Sequence, residues 1–138
     1  MSERQIRITT FDLERLDRLI DGVRAAGPQK KDYLMMLEKE LERARVVDPQ
    51  KIPGDVITMN SVVRIRDLES GEENTYTLAF PADSRIEENR ISVLSAIGTA
   101  LIGYRVGDVI EWQVPSGKKR LKVEGILYQP EASGRYDL

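Results

Sequence analysis

Residues 91–108 read ISVLSAIGTALIGYRVGD, the densest set of local signals in the chain. Ser95 suits a helix N-cap, because its hydroxyl accepts from a backbone N–H that the first turn leaves unpaired. A short helix is predicted to follow, with Ile97 and Leu101 at i and i+4 and Ala100 beside them forming a buried face. Gly98 and Thr99 leave room for another backbone to come close. Gly103 fits the left-handed C-cap position with Tyr104 packing back on the last turn, and Gly107-Asp108 signals a turn into a strand. On local physics alone this is a small, well-capped core helix, and spacing by itself names no function.

Upstream, Val63 and Ile65 alternate with Arg64 and Arg66, and Tyr76, Leu78 and Phe80 alternate with Thr75, Thr77 and Ala79, the period of strands with one buried face. Glu69-Ser70-Gly71-Glu72 reads as the turn between them, and residues 82–90 as a polar lead into the central helix. Downstream, Ile110, Trp112 and Val114 alternate with Glu111 and Gln113, and Pro115-Ser116-Gly117-Lys118 turns the chain into a last long strand. There Leu121 and Val123 share one parity and Ile126 and Tyr128 the other, so Gly125 marks a β-bulge. Residues 130–138 read as a loose tail. Strands, one short helix and more strands give an antiparallel sheet wrapped on a helix.

At the N-terminus, residues 6–8 read as an extended lead-in and Thr9 or Thr10 as the cap of a helix, with Asp12 favouring the positive end of its dipole. Leu13, Leu16, Ile20 and Val23 recur at spacings of three, four and three, and Leu34, Leu37, Leu41 and Ala44 repeat them. Ala25-Ala26-Gly27-Pro28 stops the first helix. The product is an antiparallel helical hairpin about 22 Å long at 1.5 Å per residue. Helices this short draw their stability from packing on each other and on the domain behind them. Tyr33, Met35 and Met36 widen the second helix's apolar surface and read as sealing the hairpin or docking it on the body, with a partner-facing role as the alternative. Residues 46–54, with Pro49, Pro53 and Gly54, read as a linker, and residue 55 onward as strands.

The 138 residues suit one globular domain with a small appendage. Charged residues make up 32% of the chain, yet the net charge is only −2 with the signs intermixed, so free nucleic acid is not the expected partner. The absence of cysteine excludes a disulfide framework, a thiol nucleophile and a cysteine zinc site, and fits a reducing compartment. The absence of histidine removes the commonest general base and excludes Ser–His and Cys–His catalysis. No signal region opens the chain, and its longest uncharged stretch is too short to span a bilayer, which takes about 20 apolar residues. A cytoplasmic location is expected.

Candidate chemistry is sparse. Glu38, Glu40 and Glu42 alternate along the second helix, where i and i+2 residues point apart. Glu38 and Glu42 share a face, and Glu38 is placed to pair with Arg45 or its neighbours, so a solvated charged face is expected. Glu72-Glu73 and Glu87-Glu88 fall in turns or loops. Lys118-Lys119-Arg120 forms a local positive patch that reads as a solubilising strand edge.

The run Ile91-Ser92, Ser95, Gly98, Ala100-Leu101, Gly103, Gly107-Asp108, then Pro115 and Gly117, resembles the C-terminal domain of bacterial Gre transcript cleavage factors. The short hairpin, the segment Val56-Ile57-Thr58-Met59-Asn60-Ser61, Trp112 before Val114-Pro115, and the ending Tyr128-Gln129-Pro130-Glu131 resemble more closely the Rnk family, regulators of nucleoside diphosphate kinase related to Gre factors. Ala96 departs from the proline usual in Gre-type sequences, which bears on the shape of that loop.

The resemblance implies an α+β protein with a short antiparallel helical hairpin (coiled coil) over residues 1–47. An FKBP-like antiparallel sheet packed on a short helix would follow over residues 48–138. It also implies RNA polymerase as partner, met through Ser92, Ser95, Ala96 and Ile97. In Gre factors a longer hairpin enters the polymerase secondary channel, and acidic residues at its tip help hold a metal ion, work that needs hard oxygen ligands. Here residues 25–31 carry no acid, and Asp21 and Asp32 lie back on the arms.

The expectation is therefore a monomeric, non-catalytic regulator that competes for the secondary-channel site without stimulating transcript cleavage. It would need no cofactor or metal, touch no membrane, and meet nucleic acid only through the polymerase. The alternative is regulation of nucleotide metabolism through nucleoside diphosphate kinase, by direct binding or through its expression. A prolyl isomerase is disfavoured. That activity needs an aromatic-lined pocket, whereas one Trp, two Phe and five Tyr are present and several belong to strand cores, and fold likeness does not carry function.

Overall fold

The computed structural model describes residues 6–26, 31–114 and 117–135. The expected hairpin tip at residues 27–30 and the turn residues Pro115-Ser116 lie outside that set, as do the side chains of Tyr33, Met36, Ala96, Trp112 and Val114.

The chain opens with β1 (Arg7–Thr9), α1 (Thr10–Ala26), α2 (Lys31–Glu42) and β2 (Arg45–Val47). Thr9 caps α1 by accepting the Asp12 N–H on Oγ1 at 3.0 Å. The apolar stripes are where their spacing puts them. Leu16 and Ile20 of α1 and Leu34, Leu37 and Leu41 of α2 are buried, with Leu13, Val23 and Ala44 packed alongside. Met35 is exposed, so it does not seal the hairpin. Glu38 pairs with Arg24 across the two arms and Glu40 with Arg43, which corrects the expected pairing of Glu38 with Arg45. Residues 46 and 47, read as the start of the linker, belong to a strand: β2 runs parallel to β1 in the register Ile8↔Val46, and the Arg45 N–H donates to Ile6 O at 2.9 Å. Three residues are too few to show a strand period, and their partner is almost forty positions away. The linker proper begins with a 3-10 turn at Pro49–Lys51, capped by Asp48.

Residues 56–61 join no strand of a sheet: Val56 makes an isolated bridge with Arg105, and residues 58–61 form a turn in which Asn60 takes φ +68° and the Ser61 N–H donates to Thr58 O at 3.1 Å. Their side chains explain why. Val56, Ile57, Thr58, Met59 and Ser61 are all buried, so this segment threads the interior, and the main sheet starts one residue later. That sheet contains β3 (Val62–Asp67), β4 (Glu73–Ala79), β5 (Arg90–Ser92), β6 (Val109–Val114) and β7 (Gly117–Tyr128), in the spatial order β5-β4-β3-β7-β6. Val63, Ile65, Leu78, Ile110, Leu121 and Val123 face the core. The β3–β4 turn is shaped by Asp67, whose carboxylate accepts the Glu69 and Ser70 amides at 2.9 and 3.2 Å while Gly71 takes φ +77°. Between Arg64 and Ile65 the β7 partner jumps from Gly125 to Val123, and this bulge at Gly125 lets Ile126 join the core after the parity change.

The sheet is mixed, not antiparallel throughout, because β5 runs parallel to β4 in the register Leu78↔Ile91. The crossover falls in residues 80–89, most of the segment 82–90 read as a polar lead, and contains two 3-10 turns, Pro81–Asp83 and Ile86–Glu88, while Arg90 already belongs to β5. Parallel neighbours need such a connection in place of a tight hairpin. Residues 118–120 are not a free strand edge either. They pair with β6 on one side, and Leu68 N–H reaches Arg120 O at 2.9 Å on the other. Each cation of the patch faces an acid: Lys118 with Glu111, Lys119 with Asp67, Arg120 with Glu69.

The helix α3 (Ala96–Leu101) packs on the core through Leu101, and Ile102 follows it into the interior. One apolar cluster joins α1, α2, residues 57 and 59, the sheet and α3, so the hairpin and the sheet share a single core.

Candidate functional site

The residues singled out for partner contact fall in and around one capped turn. Ser92 ends β5, and its carbonyl accepts the Ser95 N–H at 3.0 Å and the Ser95 hydroxyl at 2.7 Å. Ser92 Oγ accepts the Leu94 N–H at 3.0 Å, and Ser95 Oγ accepts the Gly98 N–H at 3.0 Å as the N-cap of α3. Thr99 Oγ1 donates to Val93 O at 2.7 Å from beneath. The turn comes so close to α3 that a Cβ on Gly98 would lie 2.0 Å from Ser92 O, which accounts for glycine there. Ser92, Ser95 and Ile97 are half-buried, and Ile97 packs on the core cluster while keeping part of its surface open.

At its other end α3 stops at Gly103, with φ +82° as its C-cap position requires. A Cβ there would also lie 2.6 Å from the Ile6 Cβ. Gly103 O accepts the Arg7 N–H at 3.3 Å and its own N–H reaches Ile57 O at 2.9 Å. The end of α3 is thus tied both to β1 and to residue 57, and Arg43 at the close of the hairpin donates to the Tyr104 hydroxyl at 3.3 Å.

A second constellation lies behind these ties and was not assembled from the sequence. Asp12, fully buried, accepts the Met59 N–H on Oδ2 at 3.0 Å and Arg15 on Oδ1 at 2.6 Å. The Arg15 guanidinium lies 3.9 Å from the Phe11 ring centroid and 4.8 Å from that of Phe80, a cation–π arrangement that fixes its plane. Burial pushes the Asp12 carboxyl up to about 6, opposed by the Met59 amide and Arg15 and reinforced by the nearby Glu131 charge. Glu131 is buried and accepts the Thr58 hydroxyl at 2.8 Å. Gln129 Nε2 donates to Pro53 O and Val56 O, both at 2.8 Å, and its Oε1 accepts the Ala132 N–H. Residues 130–135 are therefore not a loose tail: a turn after β7 locks onto residues 53–58, and of the expected tail residues 136–138 lie outside the described set. The signal available was the pairing of two quoted motifs, residues 56–61 and 128–131, which turn out to touch one another.

Among the described residues no group of three or more His, Cys, Asp or Glu side chains is placed to hold an ion, and no helix is long and apolar enough to cross a membrane.

The sheet, its capped α3 and the threaded segment define the C-terminal architecture of Gre-type transcription elongation factors: the model of the GreA/GreB C-terminal family matches residues 52–128. The Rnk N-terminal model matches residues 4–47, and the chain belongs to the Rnk family. It is 42% identical over 137 residues to the regulator of nucleoside diphosphate kinase of Escherichia coli K12, covering 99% of this chain and 98% of that one. It is 38% identical over 93 residues to transcription elongation factor GreA of Clostridium beijerinckii, 67% of this chain and 58% of that protein. Among solved structures, a GreA/GreB elongation factor from Nitrosomonas europaea superimposes with a TM-score of 0.74 at 39% identity, covering 91% of this chain and all of the other.

Proposed function

We propose that this chain is a non-catalytic regulator that binds RNA polymerase and competes for its secondary-channel site without stimulating transcript cleavage. The supporting observation is the capped turn at Ser92, Ser95, Ala96 and Ile97, set in a Gre-type domain and held rigid by side-chain and backbone bonds, with Ile97 half-open at its centre. A preformed apolar contact on a rigid turn binds with little ordering cost. In this reading residues 48–138 form an FKBP-like docking domain, residues 1–47 form the arm it presents, and the protein works as a cytoplasmic monomer. The absence of acids in residues 25–31 withholds the ligands that cleavage would need.

The test is a titration of purified protein against core RNA polymerase, with and without a Gre factor. Saturable binding lost on competition supports the reading, and no binding at micromolar concentration overturns it. The name of the Escherichia coli relative favours a second reading, direct binding to nucleoside diphosphate kinase. Capture of the purified kinase without polymerase separates the two.

A further inference from the structure

We propose that the cavity between Arg15 of α1 and the outer face of the sheet binds a nucleoside phosphate, taking the phosphate at Arg90 and the planar base at Tyr128.

The cavity measures ≈ 540 Å³, a volume suited to a small organic ligand, and it lies where two parts of the fold meet, a common place for such sites. Its floor is a single row of residues across four strands. Arg90 of β5 is the register partner of Thr77 in β4, Thr77 of Val62 in β3, and Val62 of Tyr128 in β7. Register partners share a face of the sheet, and this face is turned away from Val63 and Leu78, which look into the core. Neighbouring strands lie about 4.8 Å apart, so the row runs about 14 Å from Arg90 to Tyr128. It has a cation at one end, a hydroxyl and an apolar side chain in the middle, and a phenol ring at the other end. That order and length match an extended nucleotide from phosphate to base.

The remaining side chains fit the same ligand. Arg15 is held by Asp12 at 2.6 Å and by the rings of Phe11 and Phe80, with its side chain only 20% exposed. It is a preformed positive wall that needs no ordering when the ligand arrives. Arg90 is fixed through its backbone, whose N–H and carbonyl both pair with Arg85 at 2.9 Å. Its guanidinium is exposed and stands 3.9 Å from Glu88, too far for the short charged bond that a phosphate oxygen offers. Asp83, on the Pro81–Asp83 turn, adds an exposed carboxylate to the lining. A carboxylate repels phosphate and accepts from hydroxyls, so Asp83 sets the ligand's direction and suits the sugar. Stacking on Tyr128 uses the flat face that every base has, so the site selects the class and not one base. These residues all belong to this chain, and the site needs no polymerase.

The experiment is an NMR titration of the full chain with AMP, GMP, adenosine and inorganic phosphate, following backbone amides. Both nucleotides are expected to shift Thr77, Arg90 and Tyr128 saturably at about millimolar concentration or below. Adenosine and inorganic phosphate, which each lack one half of the ligand, should bind at least about tenfold more weakly. Arg90→Ala should weaken the nucleotides by about tenfold or more. Tyr128→Leu should weaken the nucleotides and leave inorganic phosphate unchanged. Lys118→Ala removes an equal charge from the β6–β7 end of the sheet and should change nothing. Arg90 and Lys118 are both exposed, so that comparison does not hinge on folding. The site is overturned by the absence of saturable shifts at about 10 mM nucleotide, by inorganic phosphate binding as tightly as AMP, or by Lys118→Ala weakening binding as much as Arg90→Ala.

Discussion

Glu131 accepts a hydrogen bond from the Thr58 hydroxyl at 2.8 Å, joining two residues 73 positions apart inside the protein. The bond makes the turn after β7 part of the fold, because it holds the segment on which the hairpin rests. Thr58→Val keeps the shape and leaves a buried carboxylate oxygen without its donor, which costs about 1–3 kcal/mol. Urea denaturation of the two proteins checks this, and an unchanged midpoint would show the bond to be dispensable.

Removal of residues 129–138 takes away Gln129 as well as Glu131, and with it the donors to Pro53 O and Val56 O. The buried Val56 carbonyl then loses its donor and Thr58 loses the Glu131 carboxylate, so the truncated chain is expected to melt below the full one. Circular dichroism against temperature reads the difference.

Gly98→Ala places a Cβ on the Ser92 carbonyl, 2.0 Å away, where only backbone movement can relieve the clash. The expected loss is about 3 kcal/mol, the upper end of overpacking costs. Ser95→Ala removes the N-cap acceptor for Gly98 and costs about 1 kcal/mol. Both should weaken polymerase binding in the titration described above. Ile97→Asp should do so as well, with some loss of fold stability, since Ile97 is half-buried and packs on the core cluster.

Asp12 gives stability a pH dependence of known sign. Its folded value, about 6, lies above the ordinary 3.8, so the folded chain binds the proton more tightly. The resulting stabilisation is complete below pH 3.8 and is lost as pH rises through 6. Its full size is on the order of 3 kcal/mol. Measured as the difference between wild type and Asp12→Asn, so that other carboxylates cancel, stability should fall between pH 4 and pH 7. A flat difference contradicts it.

Local physics made much of the fold readable. The Ser95 cap, Gly103 at the end of α3, the Asp67-to-Glu72 turn and the bulge at Gly125 each rest on interactions within a few residues, or on a parity change visible along one strand. Both helical stripes were legible for the same reason. The strands β2 and β5 were not: Arg45–Val47 and Arg90–Ser92 are too short for a period, and both pair in parallel with distant segments. Asp12 was recognisable as a helix-start acid, but its bond to Met59 spans 47 positions, a separation no local pattern encodes. The turn at residues 130–135 looked loose because its polar side chains were read without their buried partners. The Ser92–Ile97 turn was legible in shape, while its role depends on a partner surface that lies outside this chain.

The paired strands Arg7–Thr9 and Arg45–Val47 close the base of the hairpin like a clasp. Everything between them is an excursion that leaves and returns at one place, so the arm can change length while its attachment stays put. Chain closure grows only logarithmically with the residues enclosed, about 0.6 kcal/mol for each doubling. Reach is therefore nearly independent of fold stability in this architecture, because whole helical turns can be added or deleted between the two strands without disturbing their pairing.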